Sequence, residues 1–318
     1  MSDGLHQLPP AIFLMGPTAS GKTGAAVSVY SKLPVEIISV DSALVFQDMD
    51  IGTAKPDAQT LANAPHHLID LIPPTQAYSA AHFRNDALRL MSEITARGKV
   101  PLLVGGTMLY FKALQEGLSN LPEANSEVRA RLDARAALIG WPAMHKKLAL
   151  VDPITAARLD PNDTQRIQRA LEVFEMTGEA MSALYAKQTI EALPYRLLKI
   201  ALIPSERRIL HERIALRFAQ MLKDGLVDEV RTLMAKYPTL TTESTSMRCV
   251  GYRQALAHLN GEYDLAELCN RGIFATRQLA KRQLTWLRSM NDVTTLDCLN
   301  PTLNELVTHH INQFRKHL

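Results

Sequence analysis

Gly16-Pro17-Thr18-Ala19-Ser20-Gly21-Lys22-Thr23 matches G-x-x-x-x-G-K-[ST], the pattern of a loop that wraps a phosphate chain. The pattern means little out of context, and here the context fits. Ala11-Ile12-Phe13-Leu14-Met15 is an apolar run of strand length just before it, and Gly24-Ala25-Ala26-Val27-Ser28-Val29-Tyr30 suits a helix just after it. The two glycines let the backbone bend around an anion, while successive N–H groups and the positive end of the new helix point inward. Lys22 adds a mobile positive charge, and the Thr23 hydroxyl is of the kind that ligates Mg²⁺. The expected ligand is a di- or triphosphate, and the loop alone does not say which.

Further along, Val35-Glu36-Ile37-Ile38-Ser39-Val40 reads as a second strand ending at Asp41-Ser42, and Val100-Pro101-Leu102-Leu103-Val104 as a buried strand closing on Gly105-Gly106-Thr107. In an open α/β sheet the ligand lies just past the C-terminal ends of the strands, which places Asp41 and Thr107 beside the phosphate loop. By residue type and position Asp41 has three open roles: support for Mg²⁺, acceptor of a substrate proton, or cap of the next turn. ATP-hydrolysing proteins of this fold commonly end such a strand with an Asp that supports the metal; Gly105 here brings backbone or ligand close instead. The mixed segment 43–56 reads as a substrate-binding loop. Pro65-His66-His67-Leu68-Ile69-Asp70 is a short extended piece whose adjacent histidines point opposite ways, a polar edge or loop rather than a metal site. Ser79 is placed to cap a helix running to Ile94, with Phe83, Ala87, Leu90, Met91 and Ile94 at helical spacing.

The 318 residues are 47% hydrophobic and 21% charged, and no apolar run approaches the ~18 residues of a membrane span. The first residues lack the cationic start of a signal peptide, and Cys249, Cys269 and Cys298 are an odd set with no C-x-x-C spacing. A cytoplasmic protein without disulfides, structural zinc or membrane partner is expected. Net charge is +3, unevenly spread: residues 1–120 carry 8 basic against 10 acidic side chains, 121–196 carry 10 of each, and 197–318 carry 17 against 12. The basic C-terminal part suits a polyanionic partner, although a solvated helical face has the same composition.

The predicted architecture is α/β. A P-loop NTPase-like parallel sheet begins in 1–120, a helical insertion occupies 121–196, and 197–318 completes the core and adds basic helices. The insertion follows from the absence of strand-like runs between Ser126 and Tyr195 and the return of one at Leu197-Leu198-Lys199-Ile200-Ala201-Leu202-Ile203. Within it, a helix starting near Thr164 turns Ile167, Leu171 and Phe174 inward and leaves Gln165 and Arg169 opposite. Beyond Pro204 everything reads as helical. A helix near Ser205 to Lys223 carries Arg213 and Arg217. Another, from about Leu265 to Met290, turns Ile273, Ala280, Leu284 and Leu287 to one face, sets Arg277, Lys281 and Arg288 beside it, and leaves Arg271 and Arg282 nearly opposite.

The phosphate loop, Asp41-Ser42, Asp50-Ile51-Gly52-Thr53-Ala54-Lys55-Pro56, Gly105-Gly106-Thr107-Met108-Leu109-Tyr110, Arg248-Cys249-Val250-Gly251-Tyr252-Arg253-Gln254 and Thr276-Arg277-Gln278-Leu279-Ala280-Lys281-Arg282-Gln283, in this order, resemble the tRNA dimethylallyltransferases over about residues 11–290. The resemblance implies transfer of a dimethylallyl group from dimethylallyl diphosphate to N6 of the adenosine 3′ of the anticodon, with Mg²⁺ and without ATP hydrolysis, by a monomer. It implies catalytic roles for Lys22, Asp41, Thr107 and Arg217, with Asp41 as base, Thr107 at the bridging oxygen and Arg217 on the diphosphate. It also places Asp41-Ser42-Ala43-Leu44, Thr107, Gln165-Arg166-Ile167-Gln168-Arg169 and Arg248 to Arg253 on the tRNA anticodon stem-loop, with Arg129; Arg277 and Lys281 are candidates from their basic stripe. Many relatives read Asp-Ser-Met-Gln-Val-Tyr at the second strand. Ala43, Leu44 and Phe46 depart from that pattern. A small-molecule kinase and a non-catalytic tRNA-binding module are the rival readings. The first does not account for the glycine strand end or the basic helices, and the intact Lys22-Thr23 speaks against the second.

Overall fold

The computed structural model describes residues 8–117, 121–187 and 192–316. Its described residues form two compact units, one running to Gln115 and resuming at Leu193, the other Glu116–Ala192. The first unit is built on six parallel strands: β1 (Pro10–Met15), β2 (Val35–Val40), β3 (His66–His67), β4 (Val100–Gly105), β5 (Arg196–Ile203) and β6 (Thr294–Asp297), in the order β3-β2-β4-β1-β5-β6. Its helices are α1 (Lys22–Tyr30), α2 (Ala58–Asn63), α3 (Ala80–Ala96) and α4 (Met108–Glu116). The second unit holds α5 (Ser126–Ile139), α6 (Trp141–Val151), α7 (Pro153–Ala156), α8 (Thr164–Thr177) and α9 (Met181–Ala186). After β5 come α10 (Arg207–Lys223), α11 (Leu226–Lys236), α12 (Tyr252–Leu259), α13 (Leu265–Arg288) and α14 (Leu303–Lys316). No described helix is long and apolar enough to cross a membrane.

Alternation along the buried strands divides the sheet's side chains between two cores. Phe13, Met15, Ile38, Val40 and Leu103 meet α3 and α4 through Phe83, Met91, Phe111 and Leu114. On the other face Ile12, Leu14, Ile37, Leu102 and Ile200 meet Ala25, Ala26 and Val29 of α1 and Val307 and Ile311 of α14. Ser79 caps α3 by accepting from His82 N at 3.1 Å.

The reading that everything beyond Pro204 is helical is wrong at β6. Thr294–Asp297 pairs in parallel with Ile200–Ile203 and closes one edge of the sheet. Three half-exposed residues and the exposed Thr295 give no apolar run. Loop 43–56 is ordered from outside. The Glu229 carboxylate on α11 accepts from Asp50 N (3.0 Å), Ile51 N (2.7 Å) and Gly52 N (3.2 Å), and also from the Tyr252 hydroxyl. Val45, Phe46 and Met49 of that loop are buried with Phe218, Leu226, Val230 and Tyr252 in a third core.

What positions the site is register. Met15 and Val40, on strands either side of β4, both align with Gly105. The three loops that follow, starting at Gly16, Asp41 and Gly106, therefore leave the sheet at one level on adjacent strands, about 5 Å apart from strand to strand. A Cβ at position 105 would lie 2.0 Å from Val40 O, a backbone atom that cannot yield without moving β2. Gly105→Ala should lower unfolding free energy by about 3 kcal/mol or abolish soluble expression. Chemical denaturation checks this, and a loss under ~1 kcal/mol would show that the strand ends tolerate separation.

Candidate active site

The phosphate loop runs from the end of β1 into α1. Ala19 (φ 63°) and Gly21 (φ 80°) are left-handed, which folds the intervening backbone into a concave array, and Ser20 N donates to Pro17 O at 3.3 Å. Lys22 Nζ lies back along this curve, donating to Pro17 O at 2.7 Å. The loop is tied to two distant helices. Arg217 on α10 donates to the Thr18 hydroxyl, and Gln283 on α13 accepts from Thr18 N at 2.8 Å.

Beside it, Asp41 Oδ1 accepts from Ala43 N at 2.9 Å. That is the capping geometry, and it coexists with a position in the crevice. Thr107 joins the same turn: its N–H donates to Val40 O (3.2 Å), its Oγ1 accepts from Ser42 N (3.0 Å), and its hydroxyl donates to Ser42 Oγ (3.3 Å). The ends of β2 and β4 are thereby stitched together. The crevice they bound has a volume of about 890 Å³ and is walled by Arg213, Arg217, Arg248 and Arg282, with Met108, Phe218, Leu279 and Trp286 supplying apolar surface.

Electrostatics follow from burial. Desolvation drives the Lys22 ammonium down to about 8, with Arg217 pushing the same way and Asp41 opposing. Burial raises Asp41 above the usual carboxylate range, opposed by backbone N–H groups, Lys22 and Arg217. The Arg217 guanidinium is lowered, again by burial, with Asp41 opposing. Burial holds the neighbouring Cys249 thiol protonated, pushed up to about 12. A buried Lys-Arg-Asp set with one surplus positive charge suits an anionic ligand.

Oxygen donors for a hard divalent ion are present: the Thr23 hydroxyl, Asp41, and Ser39, whose buried Oγ has no partner and lines the same crevice. Among the described residues no three His, Cys, Asp or Glu side chains cluster as a metal cage. That donor set fits Mg²⁺ shared with substrate phosphates and water rather than a preformed protein site.

The expected tRNA contacts divide. Ser42, Ala43, Leu44, Thr107, Arg248, Cys249 and Val250 line the crevice with Asp41. Gly251 and Tyr252 do not face it: both are buried, and the Tyr252 ring packs in the third core with its hydroxyl on Glu229. Arg253 is exposed beside Arg271 and Phe274 in a separate shallow pocket. In the helical unit Ile167 is fully buried, so its side chain serves the core. Arg169 and Arg129 are not free donors either. They close on the fully buried Glu172, Arg129 at 2.9 and 3.1 Å and Arg169 at 2.7 Å, and Arg169 also donates to Pro122 O at 2.6 Å. Gln168 donates to Asp133, Arg166 pairs with Asp163 at 3.1 Å, and both Gln165 and Arg166 are exposed. On α13, Lys281 is exposed and Arg277 half-buried. Arg282, although exposed, lines the crevice rather than lying away from it, and the buried polar residues of α13 are Thr276 and Gln283. Gln283 and Ser39 escape sequence reasoning. The signals available for Gln283 are its place at the end of the family segment Thr276 to Gln283 and its setting within the apolar spacing of Ala280, Leu284 and Leu287.

A Lys22 poised near 8 gives a proton signature. An anion beside it restores its affinity for a proton, so pyrophosphate binding at pH 8.5 should take up a fraction of a proton, and at pH 6.5 little from this group. Calorimetry of wild type and Lys22→Met in buffers of different ionisation enthalpy separates this from protonation of pyrophosphate itself. Equal uptake by both proteins would contradict the assignment.

The chain is similar to proteins already described. A family model described as IPP transferase matches residues 44–290. The tRNA dimethylallyltransferase of Methylobacillus flagellatus is 67% identical over 291 residues, 92% of each chain. The crystal structure of the full-length tRNA isopentenylpyrophosphate transferase of Bacillus halodurans superposes with a TM-score of 0.70 at 35% identity, covering 97% of this chain and 96% of that one. A eukaryotic dimethylallyltransferase, solved in snapshots acting on tRNA, reaches a TM-score of 0.81 at 26% identity over 97% of this chain and 80% of its own. A match across most of the length means that the chain belongs to the IPP transferase family, the tRNA dimethylallyltransferases.

Proposed function

We propose that this protein transfers the dimethylallyl group of dimethylallyl diphosphate to N6 of the adenosine immediately 3′ of a tRNA anticodon, releasing diphosphate, as a monomeric cytoplasmic enzyme. The observation that carries the reading is the meeting of an anion-binding loop, a carboxylate and a hydroxyl at three adjacent strand ends, with glycines where phosphoryl-transfer enzymes of this fold place a metal-supporting acid.

The loop amides, Lys22 and Arg217 hold the diphosphate and take up charge as the bond from allylic C1 to the bridging oxygen breaks and its electron pair leaves with the diphosphate. Thr107, held at the turn by Ser42, would turn its hydroxyl to that bridging oxygen. Mg²⁺ bound through Thr23, with Asp41 and Ser39 beside it, would add electrostatic stabilisation of the leaving group. The N6 lone pair forms the new bond to C1. N6 then carries a surplus proton, and Asp41, whose carboxylate burial has made more basic, accepts it. The adenine reaches the crevice by leaving its stack, which costs less from a loop than from a duplex. Ser42 to Leu44 and Arg248 to Val250 line its way in, and the exposed Gln165, Arg166 and Lys281 suit phosphate contacts.

Asp41→Asn keeps size and polarity and removes the proton acceptor. Single-turnover transfer from saturating dimethylallyl diphosphate to tRNA should fall by ~10² or more with tRNA affinity little changed. Restoration by added Mg²⁺ would instead assign Asp41 to the metal. Efficient turnover of ATP to ADP by the wild type with a small acceptor would contradict the function outright.

A further inference from the structure

Gln283 is 8% exposed on the inner side of α13, and both ends of its amide are committed. Its Oε1 accepts from Thr18 N at 2.8 Å and its Nε2 donates to Gly106 O at 2.9 Å. One partner is the third residue of the phosphate loop; the other is the residue before Thr107. Few side chains have both an acceptor and a donor on one planar fork. Glutamate loses the donor, asparagine is a methylene shorter, and methionine of similar size loses both. The fit is close on the backbone side as well, since a Cβ at position 106 would come within 2.4 Å of Gln283 Nε2. No other side-chain hydrogen bond among the described residues spans from the phosphate loop to the β4–α4 turn.

We infer that Gln283 is a positioning residue for the transfer reaction: its amide sets the separation between the loop that holds the diphosphate and the turn that presents Thr107 to the bridging oxygen. The assignment of those two elements rests on the proposed function. The bond to Thr18 N also withdraws that N–H from the cradle, so the anion is left to the amides that follow it. Phosphate affinity and the placement of the scissile bond then depend on a crevice-lining side chain whose amide is committed at both ends to protein backbone.

The test uses the full-length protein and inorganic pyrophosphate as probe. Gln283→Met removes both buried hydrogen bonds and should raise the pyrophosphate Kd by about tenfold, with tRNA Kd within about twofold. Single-turnover transfer at saturating donor should fall as well, because Thr107 is displaced. An unchanged pyrophosphate Kd, or a parallel loss of pyrophosphate and tRNA affinity with a collapsed Tm, would overturn the inference. Should Gln283→Met not fold, Gln283→Glu decides. It keeps the acceptor for Thr18 N and loses the donor to Gly106 O until protonated, so the ratio of its pyrophosphate Kd to that of wild type should shrink as pH falls. A ratio independent of pH would overturn the inference. Pyrophosphate binding does not depend on the acceptor, so a failure to prenylate tRNA falls on the function and not on Gln283.

Discussion

The carbonyl of Val40 leaves no room for a side chain at position 105, and that contact sets the height at which three strands deliver their loops. With Met15 and Val40 both aligned to Gly105, the phosphate loop, the Asp41 turn and the Thr107 turn start level with one another. A shift of one residue in either pairing would move a loop by ~3.3 Å and turn its side chains to the opposite face. The chemistry assigned to Lys22, Asp41 and Thr107 has no such slack, because proton acceptance needs contact at hydrogen-bond distance. Strand register thus fixes where these three groups stand before any side chain is considered.

Register alone would leave an open groove. The C-terminal helices convert it into a crevice by packing on loop 43–56, whose Phe46 and Met49 sit in a core with Phe218 and Tyr252, and whose backbone N–H groups end on Glu229. The same helices send Arg217 and Gln283 to Thr18. Burial then acts on the charges. It makes Lys22 and Arg217 less willing to stay charged and Asp41 less willing to stay ionised, so each depends on the others and on an incoming anion. A site of this kind exchanges stability in the free protein for strong interaction with the charge that develops on a leaving diphosphate.

The sheet was readable where its strands are long apolar runs, β1, β2, β4 and β5, and the loop motif named the ligand class. β6 was not, because an edge strand of three half-exposed residues and one exposed residue carries neither a run nor an alternation that its neighbours in sequence lack. At the site, the ends of β2 and β4 could be placed from topology, which brought Asp41 and Thr107 to the loop. Direction was harder. Family correspondence puts Tyr252, Ile167, Arg129 and Arg169 in segments that meet tRNA, yet Tyr252 and Ile167 are buried and the two arginines neutralise Glu172, a carboxylate whose burial no local pattern announces. Gln283 is the converse: it stood in the sequence only as the end of a family segment, and the folded structure shows which two backbone groups it joins.

In the proposed reaction one crevice holds the diphosphate and the target base together. A crystal structure of the protein with Mg²⁺, pyrophosphate and an unmodified anticodon stem-loop tests it most directly. Pyrophosphate is expected on the backbone of residues 19–23, and the adenine 3′ of the anticodon turned out of its stack with N6 within about 3 Å of the Asp41 carboxylate. An adenine bound elsewhere, with Asp41 facing only its own turn, would contradict it.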